Sequence, residues 1–337
     1  MGVYDVTALG ELLIDFTENG SSGQGNLLFE ANPGGAPCNL LAMLQKMGDK
    51  TAFIGKVGKD MFGDMLKERA GSTGIDLSGL VQDPEINTTL AFVHTLPGGD
   101  REFSFYRKPG ADMMLTAQDV EAHQDLIRQA KIFHFGTLSM THDTVEQASI
   151  RAIEIAREAG CILSFDPNLR PPLWDSEEKA KEKIAYGFTK CDVLKISDNE
   201  IEFMTGKSDL EEGIYDLIRS YQIPLILATY GRDGSKAYYL PKDKRTGHAS
   251  PDDYIKVFVD GFINPDTIET TGAGDTFGGC SLHYVLKYGL DGFDEEKLCE
   301  LLIFANAAAS IVTTRKGALC VMPEEKEVLS FIASRAG

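Results

Sequence analysis

The sequence of 337 residues lacks an apolar stretch long enough to cross a membrane. Its longest one, residues 301–312, is interrupted by two polar residues, whereas a spanning helix needs about 20 predominantly apolar residues. No secretory signal is visible either, because Asp5, Glu11 and Asp15 interrupt the first apolar stretch. We therefore expect a protein without a membrane partner.

Basic residues are few, with 33 Lys and Arg against 51 Asp and Glu and a formal net charge of −18. A nucleic-acid-binding surface needs clustered Lys and Arg, because it binds the phosphate backbone. The same deficit disfavours anionic membranes. We therefore predict no nucleic-acid partner. An anionic ligand would need a local site built from backbone amides, a few basic side chains or a metal ion.

The motifs of several enzyme classes are also missing. The six cysteines form no C-x-x-C pair and the six histidines show no zinc-binding spacing. In a chain this long, such cysteines are typical of buried free thiols in a reducing cytoplasm. A dinucleotide fingerprint is incomplete, because Gly272-x-Gly274 is followed by Phe277 where the third glycine belongs. The hydrolase elbow G-x-S-x-G and a complete Walker-type loop are absent.

Short apolar runs alternate with helical patterns along most of the chain. This alternation predicts a doubly wound α/β fold, with a mostly parallel sheet flanked by helices. The predicted strands are residues 6–10, 51–57, 132–135, 162–166, 193–196, 225–229 and 236–240. The predicted helices are residues 36–47, 61–72, 143–159, 177–188, 210–221, 275–288 and 295–314, the last with Asp294 as its N-cap.

Four strand-like segments do not fit this alternation: residues 12–17, 26–31, 88–96 and 101–106. Residues 96–100, LPGGD, are a typical hairpin tip between the last two. We predict that these segments form a small second sheet. It would be inserted at approximately residues 12–31 and 88–107 into a single domain spanning residues 1–337. Exposed strands of such a sheet commonly pair with a partner, so we expect a homodimer through it.

A glycine-rich stretch, TTGAGDTFGG at residues 270–279, leads directly into a helical pattern. Its first amides, those of Ala273, Gly274 and Asp275, are predicted to be free at a helix N-terminus, where partial positive charge favours an anion. Gly272 and Gly274 allow the backbone to approach that anion closely. A carboxylate at Asp275 can accept a proton from an attacking hydroxyl while the amides stabilise phosphate charge. On these residues alone, a glycine-rich turn with Asp275 as a helix cap is the alternative.

A second glycine pair, Gly34-Gly35, precedes another predicted helix. It exposes backbone N–H groups, and Asn39 one turn later directs its amide to the same place. A ligand with many hydroxyl groups needs such paired donors and acceptors. Asp15 on the preceding strand can accept two hydroxyl groups. The alternative is that Asp15 is a polar residue on an exposed strand face.

These two stretches resemble the signatures of the ribokinase-like (PfkB-type) carbohydrate kinases. The N-terminal signature is GGAPCN, residues 34–39, which continues through GKVGKDMFG, residues 55–63. The C-terminal signature is residues 270–279. Two long motifs in the family's order are far more specific than a single glycine-rich loop. The resemblance covers nearly the whole chain and implies a β-sheet lid over a doubly wound core. It also implies ATP, Mg²⁺ and a sugar hydroxyl as reactants.

The resemblance also assigns residues by their matching positions. It makes Asp275 the general base, beside an anion hole formed by Gly272, Ala273 and Gly274. It implies sugar contacts from Asp15, Gly34, Gly35, Asn39, Arg107, Asn168 and Arg170. It implies nucleotide contacts from Lys195, Thr229, Gly231, Gly234 and Asn306.

Within the family, residues 101–107 (REFSFYR) and 133–139 (FHFGTLS) are most similar to fructokinases. Residues 166–170 (DPNLR) are similar to a segment shared by fructokinases and 2-keto-3-deoxygluconate kinases. The resemblance therefore implies phosphorylation of D-fructose to fructose 6-phosphate. The alternative acceptors are 2-keto-3-deoxygluconate, ribose and a nucleoside. The alternatives from other classes are a catalytically silent sugar-binding regulator and a nicotinamide-dependent oxidoreductase.

Three of the assigned residues have structural alternatives. Arg107 is expected to reach sugar oxygens from the lid, with a solvated lid arginine as the alternative. Arg170 is expected to balance the γ-phosphate or to form a structural salt bridge. Asn306 is expected near the adenine, but its alanine-rich helix face could equally serve close helix packing.

The metal motif of the family, N-x-x-E before Thr-Gly, is altered in this sequence. Counting back from Thr205-Gly206, Glu200 occupies the Glu position and Ser197 the Asn position, whereas a shifted match runs from Asn199 to Glu202. We favour Glu200, acting through Mg²⁺-bound water, because Mg²⁺ keeps much of its hydration shell. Residues 269–271 and 315–317 resemble the family's cation-binding turns, so activation by K⁺ is expected.

Overall fold

A computed structural model describes residues 3–95, 101–245 and 247–335. The described residues contain thirteen strands: β1 (Tyr4–Leu9), β2 (Leu13–Ser21), β3 (Leu27–Gly34), β4 (Thr51–Gly58), β5 (Asp76–Asp83), β6 (Leu90–Thr95), β7 (Arg101–Tyr106), β8 (Ala130–Gly136), β9 (Ile162–Asp166), β10 (Val193–Ser197), β11 (Leu225–Thr229), β12 (Ser235–Tyr239) and β13 (Ile255–Val259). They also contain eleven α-helices: α1 (Ala36–Lys46), α2 (Met61–Ser72), α3 (Ala117–Ala122), α4 (Gln124–Arg128), α5 (Asp143–Ala159), α6 (Glu177–Phe188), α7 (Asp198–Thr205), α8 (Leu210–Tyr221), α9 (Ala273–Tyr288), α10 (Glu295–Val312) and α11 (Glu325–Arg335).

Nine strands form the main sheet in the order β13-β12-β11-β10-β9-β8-β1-β4-β5. Neighbouring strands are parallel except for β12, which pairs antiparallel with β11 and β13. Every residue of β4 is buried, as expected for a parallel strand with both faces covered. The predicted doubly wound α/β fold is confirmed.

Helices cover the sheet with two apolar layers. One layer contains side chains of α1, α9 and α10, including Leu41 and Cys280, and the other contains side chains of α5, α6 and α8. Helix α5 buries Val145, Ala148 and Ala152, a spacing that places them on one side of the helix. The helical pattern read from the sequence is therefore the pattern of burial in the folded chain.

The second sheet has the order β3-β2-β6-β7 and is called the lid below. It consists of two antiparallel hairpins joined by the parallel pairing of β2 with β6. On one face, Phe16 and Phe92 stack with ring centroids 4.8 Å apart, and Phe16 meets Phe62 of α2. The predicted second sheet is confirmed. The predicted hairpin tip at residues 96–100 lies outside the described residues.

The sequence did not predict six elements: β5, β13, α3, α4, α7 and α11. Strands β5 and β13 are the two edges of the main sheet, and neither has the continuous apolar character of a central strand. Helices α3 and α4 have six and five residues, too short for a periodic pattern to be read. Asp294 caps α10 as predicted, by accepting from the N–H of Lys297.

All six cysteines are free thiols, but they are not all buried. Cys38, Cys161, Cys191 and Cys280 are buried as predicted, whereas Cys299 is half-buried and Cys320 is exposed. The prediction was wrong for these last two because the spacing of cysteines says nothing about where a chain turns to the surface. None of the described helices has the length and apolar character to span a bilayer.

The main sheet has a topological switch point at the carboxyl end of the interior strand β1. Strand β1 lies between β4 and β8. The strands that follow it in sequence first add on one side, as β4 and β5, and then on the other side, as β8 to β13. Ligands of open α/β sheets bind outside the carboxyl ends of the strands at such a point. The chain enters the lid directly after β1. The loops that follow β8, β9 and β10 lie at the same end of the sheet, because these strands are parallel to β1. We therefore expect the functional site at this end of the sheet.

Candidate active site

The N-terminus of α9 carries the glycine-rich turn. Gly272 is the N-cap with φ 76°, a left-handed conformation that glycine adopts without strain. A Cβ on Gly272 would overlap the Cβ of Ala318. The N–H of Ala273 donates to the carbonyl of Thr270 at 3.3 Å, so the prediction that this amide is free was wrong. Free amides stay a prediction for Gly274 and Asp275.

Asp275 lies in the first turn of α9 and is held by a residue from the other predicted motif. The side-chain Nδ2 of Asn39 donates to its Oδ2 at 2.8 Å. Because Gly272 occupies the cap position, the alternative in which Asp275 caps the helix was wrong. Burial raises the pKa of Asp275 to about 6, although the hydrogen bond from Asn39 opposes the shift. A carboxylate with this pKa is ionised at neutral pH and can accept a proton.

A buried ion pair lies beside this helix end. The Nζ of Lys195 on β10 is 3.1 Å from Oδ2 of Asp166, at the end of β9. Burial disfavours the charged form of Lys195, but the carboxylates of Asp166 and Glu200 outweigh it and raise the pKa of the lysine. A Cβ on Gly274 would be 3.2 Å from the same Nζ. The ammonium group therefore lies next to the amides of α9.

Two cavities meet at this helix end. The first, of about 670 Å³, is lined by the predicted residues Asp15, Gly34, Gly35, Asn39, Arg107, Asn168, Arg170, Lys195, Glu200, Gly272, Gly274 and Asp275. The second, of about 480 Å³, is lined by Thr229, Gly231, Gly234, Ala273, Gly274 and Asn306. Both volumes are typical of small-molecule sites. Because Thr270 and Gly274 line both cavities, a ligand in each could present reacting groups to the same helix end.

One predicted residue lies in a different cavity from its assigned ligand. The resemblance assigned Lys195 to the nucleotide together with Thr229 and Asn306, which line the second cavity, but Lys195 lines the first. Its ammonium group is nevertheless next to Gly274, where the two cavities meet. A role for Lys195 towards a phosphate group therefore stays a prediction.

The glycine pair and Asp15 form one wall of the first cavity. A Cβ on Gly34 would be 2.5 Å from Oδ2 of Asp15, so the carboxylate lies directly over the backbone of the glycine. Burial raises the pKa of Asp15 to about 7. The Oδ1 of Asn39 is buried without a hydrogen-bond partner in the part of the chain that the structure describes. Such an atom is an acceptor available to a ligand. Asp15 is half-buried and lines the cavity, so it is not a residue of an exposed strand face.

Arg107 is buried, which makes the solvated alternative wrong. Its Nε and Nη2 donate to Asp112 at 2.8 and 2.6 Å, its Nη1 donates to Thr141, and its Nη2 also donates to the carbonyl of Leu138. Most of its donors are therefore used within the protein, although the side chain lines the first cavity. A direct sugar contact by Arg107 stays a prediction.

Arg170 lies on the loop after β9 and is exposed. Its Nη1 donates to the carbonyl of Leu169, and among the described residues no carboxylate lies within 4 Å of it. Arg170 therefore forms no salt bridge within the described chain, although its positive charge opposes the raised pKa of Asp15 and of Asp275. The neighbouring Asn168 has φ 44°, and its N–H donates to Oδ1 of Asp166. Both residues line the first cavity.

Glu200 and Glu202 differ in position. Glu200 is 5% exposed and lines the first cavity, whereas Glu202 is exposed and lines neither cavity. The Oε1 of Glu200 accepts from the N–H of Leu169, and its Oε2 accepts from the N–H of Ser197, both at 2.8 Å. Each oxygen keeps a lone pair for a metal-bound water. Within the described ranges no three His, Cys, Asp or Glu residues cluster as direct metal ligands. A contact of Glu200 with Mg²⁺ through water stays a prediction.

Asn306 lies in the second cavity and connects α10 to the main sheet. Its Nδ2 donates to the carbonyls of Val259 and Asp260 at 3.2 and 3.3 Å, and its Oδ1 accepts from Ser235 at 2.8 Å. These bonds fix the turn between β11 and β12 and the end of β13 against the helix. Asn306 thus has a role beyond close packing of alanines, and its contact with adenine stays a prediction.

The two predicted cation-binding turns lie together. The N–H of Gly317 donates to Oε1 of Glu269 at 2.8 Å, and the N–H groups of Ile268 and Glu269 donate to the carbonyl of Thr313. Ala318 then packs against Gly272, as described above. These segments are therefore physically connected to the N-terminus of α9.

Sequence reasoning missed several residues of the first cavity, including Glu11, Thr17 and Asn32. Strand alternation contains part of the missing signal, because Leu13, Asp15 and Thr17 have the same parity and must share one face of β2. No sequence signal identifies Glu11, which lies in the short connection between β1 and β2.

Comparison with known proteins decides the family. Residues 4–325 match the pfkB family of carbohydrate kinases. The chain belongs to this family. It is 40% identical over 329 residues to probable fructokinase-2 of Arabidopsis thaliana, covering 97% of this chain and 95% of that protein. It is also 40% identical to fructokinase-1 of Zea mays, covering 97% of each.

Solved structures agree with the family assignment. A fructokinase with bound ATP from Xylella fastidiosa has a TM-score of 0.85 at 29% identity, with 99% of both chains covered. A fructokinase from Vibrio cholerae, in a form with bound fructose, ADP and calcium ion, has a TM-score of 0.82 at 28% identity, covering 98% of this chain and 99% of that one. As a pfkB-family carbohydrate kinase, the protein is a sugar phosphotransferase, which replaces the oxidoreductase alternative.

Proposed function

We propose that this kinase is a fructokinase, which transfers the γ-phosphate of ATP to the primary 6-hydroxyl group of D-fructose. The observation that carries the proposal is the position of Asp275 beside the amides of α9, at the junction of two cavities. The curated relatives named above are fructokinases, and the related Vibrio cholerae structure contains fructose and ADP.

In this proposal the sugar occupies the first cavity. Asp15 and the free Oδ1 of Asn39 accept hydroxyl groups, and the amides of Gly34 and Gly35 donate to sugar oxygens. Asp275, oriented by the amide of Asn39, takes the proton from the attacking hydroxyl. Closure of the lid would exclude water, which competes with the sugar as phosphate acceptor.

ATP occupies the second cavity, with its γ-phosphate at the N-terminus of α9. The amides of Gly274 and Asp275 and the ammonium of Lys195 stabilise the charge on the transferred group. Glu200 would hold a water of the bound Mg²⁺ ion, which when present neutralises phosphate charge. Positioning and charge stabilisation supply most of the acceleration in phosphoryl transfer.

A panel of acceptors tests this function. Purified protein with MgATP is given fructose, 2-keto-3-deoxygluconate, ribose and a nucleoside, and ADP release is measured for each. We expect the highest kcat/KM for fructose and a product phosphorylated at position 6 by NMR. A higher kcat/KM for another acceptor would contradict the fructokinase assignment. No ADP release with any of them would favour a catalytically silent sugar-binding protein.

We further propose that the lid forms a homodimer interface. Its edge strands expose Leu27, Leu28 and Tyr106, and unpaired strand edges commonly associate. Light scattering with size-exclusion chromatography should give twice the mass of one chain. A monomeric mass at micromolar concentration would contradict the dimer.

We also propose activation by K⁺ and a cytoplasmic location. The contact between Gly317 and Glu269 supports a cation site at these turns, and a related Vibrio cholerae fructokinase has been solved with bound potassium ion. Equal rates in NaCl and KCl would contradict activation by K⁺.

The six free thiols support the proposed cytoplasmic location, because free thiols are typical of a reducing compartment. Cell fractionation tests this location.

A further inference from the structure

A buried carboxylate lies where the chain enters the lid. Glu11 belongs to the short connection from β1 to β2 and is 5% exposed. Its Oε1 accepts from the N–H of Ala36 at 3.0 Å. Ala36 is the first residue of α1, where the chain has just left the lid through β3. One side chain thus joins the two connections that attach the first lid hairpin to the core.

The two connections are also in backbone contact. Gly35 has φ 131°, and a Cβ on it would overlap the carbonyl oxygen of Glu11. Helix α1 has Gly35 as its N-cap, without a side-chain cap, and has no acidic residue in its first turn. The carboxylate of Glu11 accepts, from outside the helix, from one of the first-turn N–H groups that have no acceptor within a helix.

The second lid hairpin has the same arrangement. Asp112 accepts from the hydroxyl of Thr89, immediately before β6, and from Nε of Arg107, immediately after β7. The entering and leaving chains of this hairpin are therefore also bridged by a buried carboxylate. Burial raises the pKa of Glu11 to about 7, an effect that the charge of Arg107 opposes and that of Asp112 increases.

The connection held by Glu11 carries the proposed sugar contacts. Gly34 and Gly35 directly precede Ala36, and Asn39 lies one turn later, with its N–H bonded to the carbonyl of Gly35. Asn39 in turn holds Asp275. We propose that Glu11 is a positioning residue for sugar binding, which fixes the Gly34–Gly35 turn and the start of α1 through the N–H of Ala36. This inference rests on the proposed function, because it concerns the same sugar site.

The test compares E11A and E11Q with the wild-type enzyme and with E30Q. Gln keeps an oxygen that can accept from Ala36, whereas Ala keeps none. Glu30 on β3 is a matched control, because it lies in the same hairpin but lines neither cavity. We expect E11A to raise the sugar KM at least tenfold, with the KM for ATP within twofold and kcat within threefold of wild type. E11Q should recover most of the sugar affinity, and E30Q should match wild type.

Calorimetric titration of sugar without nucleotide should show the same order of affinities. An unchanged sugar KM in E11A, an equal rise for ATP, or an E11Q variant as weak as E11A would each overturn the positioning role. Where E11A does not fold, E11D provides the same test, since it withdraws the carboxylate from Ala36, and wild-type affinity in E11D would contradict the proposal. A wild-type enzyme that phosphorylates no sugar contradicts the proposed function, whereas an active wild type with an unaffected E11A contradicts only this inference.

Discussion

The side-chain amide of Asn39 donates to Oδ2 of Asp275 at 2.8 Å, across a sequence separation of 236 residues. This bond joins the start of α1, which follows the lid, to the start of α9, where the proposed phosphoryl transfer takes place. The other amide atom of Asn39, Oδ1, is buried and has no partner among the described residues. Asn39 can therefore orient the proposed base and contact a sugar at the same time.

Replacement of Asp275 by Asn should lower kcat by about 10²–10⁴-fold, the usual loss when a general base is removed. The variant should fold, since Asn can still accept from Asn39. Single-turnover kinetics and circular dichroism measure both effects. D125N is the matched control, because Asp125 is exposed in α4 and lines neither cavity. A D275N enzyme as fast as D125N would remove Asp275 from the mechanism.

The rate should depend on pH through Asp275. Burial raises the pKa of this carboxyl to about 6, so it becomes protonated as the pH falls through that value. Because only the ionised form accepts a proton, kcat/KM for the sugar should fall about tenfold per pH unit below that pKa. A profile measured between pH 4.5 and 8.5 checks this. D275N should lose the part of the profile centred near pH 6, whereas any part caused by Asp15, whose pKa burial raises to about 7, should remain. An identical profile in both enzymes would assign the pH dependence to a group other than Asp275.

The raised pKa of Asp275 also predicts that D275N differs from wild type in its free energy of unfolding. The pKa of Asp275 is raised from 3.8 to about 6 on folding, so its ionisation above that range favours the unfolded state. At pH 8, D275N should therefore be more stable than wild type by up to about 3 kcal/mol. Well below pH 3.8, at about pH 3, the carboxyl is mostly protonated in both states and the difference should nearly disappear. Urea unfolding at both pH values measures it, and a less stable D275N at pH 8 would contradict the prediction.

Replacement of Arg107 by Ala should destabilise the protein by about 3–5 kcal/mol, because it leaves the buried carboxylate of Asp112 without its partner. It should also raise the sugar KM, since the base of the lid is loosened. R128A is the matched control: Arg128 pairs with Glu158 at the surface, with 38% and 55% of the side chains exposed, and should cost at most about 1 kcal/mol. Equal urea midpoints for R107A and R128A would show that the buried Arg107–Asp112 pair contributes no more stability than the exposed Arg128–Glu158 pair.

The two glutamates of the altered metal motif form a matched pair. E200Q should raise the Mg²⁺ concentration for half-maximal activity about tenfold or more, because Glu200 lines the first cavity and its neutral replacement holds metal-bound water less strongly. E202Q should leave that concentration unchanged, since Glu202 is exposed and outside both cavities. Mg²⁺ titrations of both variants decide between them. A shift in E202Q alone would favour the match from Asn199 to Glu202.

Several structural features could be read from the sequence because they depend on neighbouring residues. The central strands and long helices follow local apolar periodicity, and α5 buries the side that its pattern indicates. The lid strands were visible as segments that break the α/β alternation. The edge strands β5 and β13 and the short helices α3 and α4 were not, because their conformation depends on the neighbours that they pair with or pack against.

The sequence by itself determined the α/β core, the lid strands and the two glycine-rich stretches. Only the tertiary structure decided which distant side chains meet. Arg107 has its partner in Asp112 and not in solvent, Lys195 lies in the first cavity, and Glu11 reaches Ala36 across the base of the lid. The physical reason is that periodicity records which face of an element is buried. A contact between two polar side chains depends instead on how the packed elements close around them.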